Sequence, residues 1–482
     1  MLLPKLKDNY LVILLTVVCA SIKIATVPAS LWEWDDMLFA SALSNYDVAA
    51  HSPHPPGFPV FIGMARPFFW LLKDEYAALT AVSLIFSCLL APALYYLFCG
   101  VFRDKRVAFA GALLCGFMPN VWFYSSSGRS DVPAMVMGLI GLGLMLRAAE
   151  SRKALYAGCA VLGLGMGIRV TVLPLMGVIT AMAFIELLRK RQYKIVAVAA
   201  SISAICVILW YVPLILDTGW EKYRAVSAAH SQFIMQNDSI FSGGRLTTRF
   251  NRYFNDIFGR SWIKIPIYLF TLLGIYTLYK NGKRRDLLLT AAAFIPYMVF
   301  VFALNAPANA PLYAMAYMPF FTGLAAYGII SLGDLMFPKA PFAGLYAAVL
   351  LTFLAALWVW PLVKLRHTEV SPPIRAVQYL KQHVDPEKDT LCYSPIYFPH
   401  LRAIFPLARR FSMENCPAQS GEGRVFALTD TPLGAASSAE YHWSLNEKQR
   451  KSLIRLSLGY YTDAYVYVTE IGASANKRAG KP

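Results

Sequence analysis

The chain has 482 residues, of which 57% are hydrophobic and only 15% charged, and its mean hydropathy is +0.48. A water-soluble protein of this length has room for one or two cores but not for repeated runs of about 20 apolar residues, so a soluble fold is excluded. The net charge of +17 would point a soluble protein toward nucleic acid; here Lys and Arg gather in short loops between apolar runs, where they hold membrane topology, and nucleic acid is not expected as a partner.

Within a bilayer every backbone polar group must bond internally, which leaves helices or a closed barrel. The runs are continuous and rich in Leu, Ala and Val, unlike the ~10-residue alternating segments of a barrel, so they read as helices. In chain order the spans fall at about 9–29, 77–101, 107–123, 132–149, 154–168, 171–188, 195–216, 263–279, 287–304, 312–333 and 342–363. The expected fold class is therefore a polytopic α-helical membrane protein of about 11 transmembrane helices.

Lys5 and Lys7 precede the first run, which is long and is followed by no clear small-x-small cleavage site, so it reads as a retained signal anchor. Basic residues near 5, 103, 152, 190 and 284 mark the cytoplasmic side. That rule puts the N-terminus inside and places loops 30–76, 124–131, 217–262 and 305–311, with everything after 363, outside. In the first of these loops Val60-Phe61-Ile62 and the stretch from Pro67 to Leu72 predict short helices lying in the interface. The short span at 154–168 carries Gly163, Gly165 and Gly167, which permit close helix approach.

After residue 363 the composition turns polar. Thr390 to Tyr393, Arg424 to Leu428 and Ala464 to Val468 read as strands, and Ile374 to His383 as an amphipathic helix. Residues 1–363 are thus expected to form the transmembrane domain, and 364–482 a small extracytoplasmic α/β domain with a frayed basic tail at 476–482. Six of the eight cysteines lie in or beside apolar runs, where Cys acts as a small hydrophobe. Cys392 and Cys416 stand apart in the polar part and could pair if it faces an oxidising compartment.

The loop after the first span reads LWEWDDMLFASALSNYDVAAHSPHPPGFPVF and is the first place to look for chemistry. Asp35 and Asp36 sit just past a span, where a carboxylate near lipid is costly and tends to be functional; either can serve as general base to a hydroxyl nucleophile. The plain alternative is a wet loop with two acids. His54-Pro55-Pro56-Gly57 is a rigid turn that presents an imidazole, with His51 three residues earlier. Two His and two Asp raise the thought of a metal, but their spacing matches no compact zinc pattern, and no metal or other cofactor is expected to be required. Arg129 and Asp131 lie in the second outer loop, and Arg169 lies at the outer break between two spans, where an arginine is unfavourable unless it meets an anion or a carboxylate such as Asp131. Arg245, Arg249 and Arg252 fall at i, i+4 and i+7, one helical face that could hold a phosphate, an anionic glycan or lipid headgroups.

An acidic pair after the first span, H-P-P-G at the end of the same loop, Arg129-x-Asp131-x-Pro133 between spans three and four and Arg169 between spans five and six resemble, in this order, the GT-C glycosyltransferases, in the group that includes the protein O-mannosyltransferases and the aminoarabinose transferases. The resemblance covers the first six spans by motif and the later ones by layout. It implies an inverting glycosyltransferase that takes a sugar from a polyprenyl-phosphate donor and passes it to a protein, lipid or glycan acceptor at the outer face, in a bacterial inner membrane. By motif position Asp35 would be the base. Asp36 stands where the group often has Glu, so which of the two is the base stays open. His54 matches a His or Lys before two prolines near the donor phosphate, Arg169 matches a Lys or Arg that would help hold it, and Asp131 matches an acidic loop residue. Arg129, Arg245 and Arg249 are further candidates for the donor phosphate, and His51 for the site's edge.

Elementary chemistry agrees with that assignment. Breaking a sugar–phosphate bond builds charge on the departing phosphate, which placed cations stabilise more in the transition state than in the ground state. A lipid donor requires no nucleotide loop, and neither G-x-x-x-x-G-K-[ST] nor G-x-G-x-x-G occurs. The runner-up is a polyprenyl-lipid or glycolipid flippase. That class predicts paired broken helices in two similar halves and ionisable residues at mid-span, whereas the chain has no repeat and its charged candidates lie in outer loops.

Overall fold

Each apolar run becomes helix in the structure, a computed structural model that describes residues 10–259, 261–405, 408–417, 423–433, 437–447, 449 and 465–471. The helices in order are α1 (Tyr10–Ala25), α2 (Trp34–Ser44), α3 (Pro59–Leu72), α4 (Glu75–Phe102), α5 (Lys105–Gly116), α6 (Pro119–Tyr124), α7 (Asp131–Met145), α8 (Arg152–Ile168), α9 (Val172–Arg189), α10 (Tyr193–Thr218), α11 (Trp220–Phe233) and α12 (Leu246–Phe250). They continue as α13 (Ser261–Lys280), α14 (Arg284–Leu304), α15 (Ala310–Tyr313), α16 (Met318–Met336), α17 (Ala343–Thr368), α18 (Pro372–His383) and α19 (Phe398–Ile404). Asp74, Asp104 and Ser151 stop the intervening loops by accepting hydrogen bonds from the first free N–H groups of α4, α5 and α8.

Among the described residues, seven helical stretches are long and apolar enough to cross a membrane: α4, α9, α10, α13, α14, the stretch 307–336 that ends in α16, and the stretch that begins with α17. The other four predicted spans are shorter or broken. α1 has 16 residues, α7 has 15 and α8 has 17. The run at 107–123 is divided where Pro119 starts a new helix, since proline suits a first turn and not an interior. A count of about eleven therefore rests on the sequence.

α4 packs against α1, α3, α5 and α7, and α16 against α5, α13 and α17. The α13–α16 contact is backbone on backbone. A Cβ added at Gly274 would lie 2.0 Å from Leu324 O, and one at Gly328 2.2 Å from Phe270 O. By contrast Ile205, Ile208, Leu209 and Leu216 of α10 are more than half exposed, as a lipid-facing helix should be. The stretch 60–72 forms one helix, α3, in place of two short ones. It enters with Pro59 at its first turn, and its far end leaves Trp70 and Leu71 64% and 78% exposed.

Beyond α17 the chain builds a five-stranded sheet from β1 (Thr390–Tyr393), β2 (Arg409–Ser412), β3 (Val425–Thr429), β4 (Ser437–Trp443) and β5 (Val466–Ile471), in the order β2-β1-β3-β5-β4. β1 pairs in parallel with both β2 and β3, and β5 runs antiparallel between β3 and β4. The central strand β3 is buried throughout, and Val377 and Leu380 of α18 pack with Leu391, Phe426, Leu428, Val466 and Val468. Cys392 and Cys416 form a disulfide with Cα atoms 5.6 Å apart. The basic tail at 476–482, with Lys5 and Lys7, lies outside the described residues.

This C-terminal unit rests on the segment after α1. Ser371 bonds Ser30 Oγ through its N–H (2.9 Å) and Leu31 O through its hydroxyl (2.8 Å). Trp34 Nε1 donates to Ile396 O at 3.2 Å, and Arg402 donates to Ala50 O. The close α13–α16 approach yields a test. Gly274→Val should force the helices apart and lower stability by about 1–3 kcal/mol, seen as a fall in the thermal unfolding midpoint, whereas Gly100→Ala, whose added Cβ meets nothing within 4 Å, should change it little.

Candidate active site

The sequence Glu33-Trp34-Asp35-Asp36 is a helix start. Glu33 is the extended N-cap residue of α2, and Asp36 completes a capping box. Asp36 Oδ2 accepts from the N–H groups of Trp32 (3.2 Å) and Glu33 (3.1 Å). The two adjacent acids are thereby given different fates. Asp36 turns inward and is fully buried. Asp35, one position earlier, keeps its side chain 25% exposed.

Asp35 is tied to the loop between α6 and α7. Arg129 Nη2 lies 2.7 Å from Asp35 Oδ2, Arg129 Nε 3.0 Å from Asp131 Oδ2, and Arg129 Nη1 3.8 Å from Glu33 Oε2. Asp131 is the first residue of α7, where the helix dipole favours a negative charge. Its other oxygen lies 3.3 Å from Arg169 Nη1. Arg169 follows the last turn of α8, where a cation is favoured. It also donates to Ser130 Oγ and Tyr313 Oη, each at 3.0 Å, and its guanidinium lies near the faces of Phe58 and Tyr313. An alternating chain of acid and base thus runs from α2 through α7 and the α8–α9 break to α15.

His54 completes the group. Its Nδ1 stands 3.9 Å from Asp35 Oδ1, and its ring lies between Phe39, Phe58 and His230 at centroid distances of 6.1, 4.9 and 5.7 Å. Gly57 makes the turn possible: its φ is +97°, and a Cβ there would meet Tyr46 Oη at 2.7 Å, the hydroxyl that donates to Gly57 O.

Charge states follow from these contacts. Burial raises the Asp35 carboxyl, but Arg129, then His54, Arg169 and His230, hold it below the usual carboxylate range. Burial pushes Asp36 up to about 6 against the pull of Arg129, Arg366 and the two backbone N–H groups. Burial brings the His54 imidazole down to about 4 in spite of Asp35. Arg129 and Arg169 are penalised by burial, yet Asp35 and Asp131 hold the first, and Asp131 chiefly the second, above the ordinary guanidinium range.

Asp35, Asp36, His54, Arg129, Asp131 and Arg169 are therefore brought together from four segments. His51 is exposed at the left-handed end of the 3-10 turn Val48–Ala50. The proposed arginine face of the second long loop is divided. Arg249 is buried and donates to Phe302 O, Asn305 O and Asp238 O, so it clamps the loop to the end of α14, while Arg245 is exposed. The reason is local: α12 lasts only five residues before a π turn, so helical spacing does not carry one face across it. Three site residues escaped the sequence reading. Glu33 was legible as the start of an E-x-x-D capping pattern, His230 as the remaining histidine of the second long loop, and Tyr313 had no local signal. Among the described residues no group of three or more His, Cys, Asp or Glu is disposed to hold a metal ion.

The two acids predict a pH signature. A carboxyl raised in the folded state contributes stability that is full below its ordinary pKa of 3.8 and is lost as pH climbs through about 6. Asp36→Asn keeps an oxygen for the two N–H groups and has no charge to bury. Its unfolding midpoint should gain on the wild type's between pH 4 and pH 6, by up to about 3 kcal/mol in stability. Parallel curves over that range would contradict the assignment.

Residues 53–212 match the model of the dolichyl-phosphate-mannose-protein mannosyltransferase family. No curated protein matches the chain by sequence. Among solved structures, ArnT from Cupriavidus metallidurans bound to undecaprenyl phosphate is similar with a TM-score of 0.58 and 13% identity over 97% of this chain and 99% of its own. Its apo form matches over the same shares at 12% identity and a TM-score of 0.58. The Archaeoglobus fulgidus oligosaccharyltransferase, solved with a tethered acceptor peptide, is similar with a TM-score of 0.52 and 13% identity over 93% of this chain and 68% of its own. The chain shares the fold of these two transferases, in keeping with the resemblance carried by its first-half motifs.

Proposed function

We propose that the chain is an integral-membrane inverting glycosyltransferase that moves a sugar from a polyprenyl-phosphate donor to a protein, lipid or glycan acceptor at the outer face of the membrane. The observation that carries this reading is the state of Asp35. In a cluster where the side chains of Glu33 and Asp131 are each 7% exposed and Asp36 is sealed, Asp35 alone is 25% exposed, ionised, and set beside an imidazole. The shared fold with a protein solved with undecaprenyl phosphate, and the family description for residues 53–212, favour the lipid-linked donor.

Asp35 is the base in this reading, and Asp36 positions it by holding the first turn of α2. The acceptor oxygen, relieved of its proton by Asp35, attacks the anomeric carbon from the face opposite the phosphate. The bond from that carbon to the phosphate oxygen breaks, and its electron pair leaves with the lipid phosphate. Arg169 and His54 flank the position where that charge grows. Arg129 already faces three carboxylates, so its part is to hold Asp35 ionised and aimed. Arg245, exposed on the second long loop, is free to meet phosphate or lipid headgroups. The unit from 364 onward, resting on α2 in a bacterial inner membrane's outer compartment, would help to choose the acceptor.

The test is release of sugar from labelled polyprenyl-phosphate mannose, glucose and aminoarabinose by the purified chain in lipid, with crude envelope extract as acceptor. Asp35→Asn should lower turnover by about 10²–10⁴-fold, the range for loss of a general base, while Asp36→Asn should stay within about tenfold of the wild type. Equal loss in both variants would remove the distinction between the acids. Saturable lipid binding with no turnover from any donor would favour the flippase.

A further inference from the structure

α11 lies over the loop that carries His54. It leaves α10 through Gly219, whose φ is +84° and around which there is open space, and it packs on the 3-10 turn Val48–Ala50. Its partly buried residues, Tyr223, Val226, Ser227 and His230, recur at helical spacing and form the face turned to that turn. His230 ends this face with its ring 5.7 Å from that of His54. His54 Nδ1 is buried and has no hydrogen-bond partner, and it faces Asp35 at 3.9 Å. Two outer loops, distant in sequence, thus bring two imidazoles together near one carboxylate.

We propose that His54 and His230 form a relay that takes from Asp35 the proton it removes from the acceptor hydroxyl. The inference rests on the reading of Asp35 as base. When the acceptor oxygen bonds to the anomeric carbon, the carbon–oxygen bond to the phosphate breaks, and the lipid phosphate goes from one negative charge to two. The acceptor's proton lies on Asp35 at that moment. Its transfer to His54 returns Asp35 to its anionic form and sets an imidazolium beside the new phosphate charge. Passage to His230, which is half-buried at the loop surface, lets it leave to water. No other reactant is consumed.

The electrostatics make the outlet useful. A carboxylate held low by Arg129 keeps a proton poorly, and both imidazoles begin neutral, His54 brought down by burial to about 4 and His230 lowered chiefly by burial and then by His51. The charged groups facing His54 are Asp35 from α2, His230 from α11, Arg169 from the end of α8 and Arg129 from the turn before α7. Those facing His230 are His51 and Asp35. A second phosphate charge adds to the attraction of Asp35 for a proton on the pair.

The experiment uses the full chain in lipid with the same three labelled donors and the envelope extract. His230→Gln and His230→Ala should each lower kcat by about 10- to 100-fold with donor KM within about twofold of the wild type. Added imidazole should restore turnover to His230→Ala and leave the wild type unchanged, a response that a merely structural residue would not give. The inference is overturned if His230→Gln keeps the wild-type kcat and pH profile, or if the loss in His230→Ala is unmoved by imidazole. In either case, inactivity of Asp35→Asn would leave the proposed function standing. Full activity of Asp35→Asn would remove Asp35 as base and the relay with it, and no turnover of any donor by the wild type would remove the proposed function as well.

Discussion

The site depends on the buried guanidinium of Arg129. A cation taken from water into a protein interior is costly, and its cost is offset only by close, well-aimed anions. Arg129 has three within 4 Å, from Glu33, Asp35 and Asp131. The same ion pairs join the start of α2 to the start of α7, and Asp131 extends the connection to Arg169 at the α8–α9 break. Each charge in the series is held by its neighbours, so the arrangement behaves as a unit. Its consequence for chemistry is that Asp35 remains an anion in a largely enclosed place, next to an imidazole with an unused nitrogen.

Much of this was legible before any coordinates. Asp35, His54, Asp131 and Arg169 stand out because charge is rare in an apolar chain, and their order carries the resemblance to a fold that the comparisons then show. Other features resisted for definable reasons. The acidic pair reads as loop because two acids and two tryptophans interrupt the apolar pattern, yet Glu33 and Asp36 use that very composition to cap a helix. Arg249 reads as part of an exposed basic face, but the helix it would need ends after five residues and three carbonyls claim its guanidinium. The pairing of His54 with His230 joins positions far apart in the chain, and no periodicity encodes it. Among the described residues seven of the expected spans are long and apolar enough to cross a membrane, and Pro119 divides a run whose composition alone looks continuous.

The C-terminal unit is more than an appendage to the helices. It grips the α1–α2 connection through Ser371, the first turn of α2 through the carbonyl of Ile396, and the His54 loop through Arg402. These three contacts fall on the segments that carry Asp35 and His54. Movement of the unit would therefore be felt at both residues. This geometry links the C-terminal unit to the positions of Asp35 and His54 through a few hydrogen bonds.

The most direct test of the central claim, that the Arg129-centred cluster is the place of sugar–phosphate cleavage, is an experimental structure of the chain in a lipid bilayer with undecaprenyl phosphate added. The account predicts the phosphate beside Arg169 and His54, within hydrogen-bond reach of Arg169, with Asp35 facing the open side of the site. A phosphate bound elsewhere on the outer surface, with the cluster unchanged and closed, would contradict it.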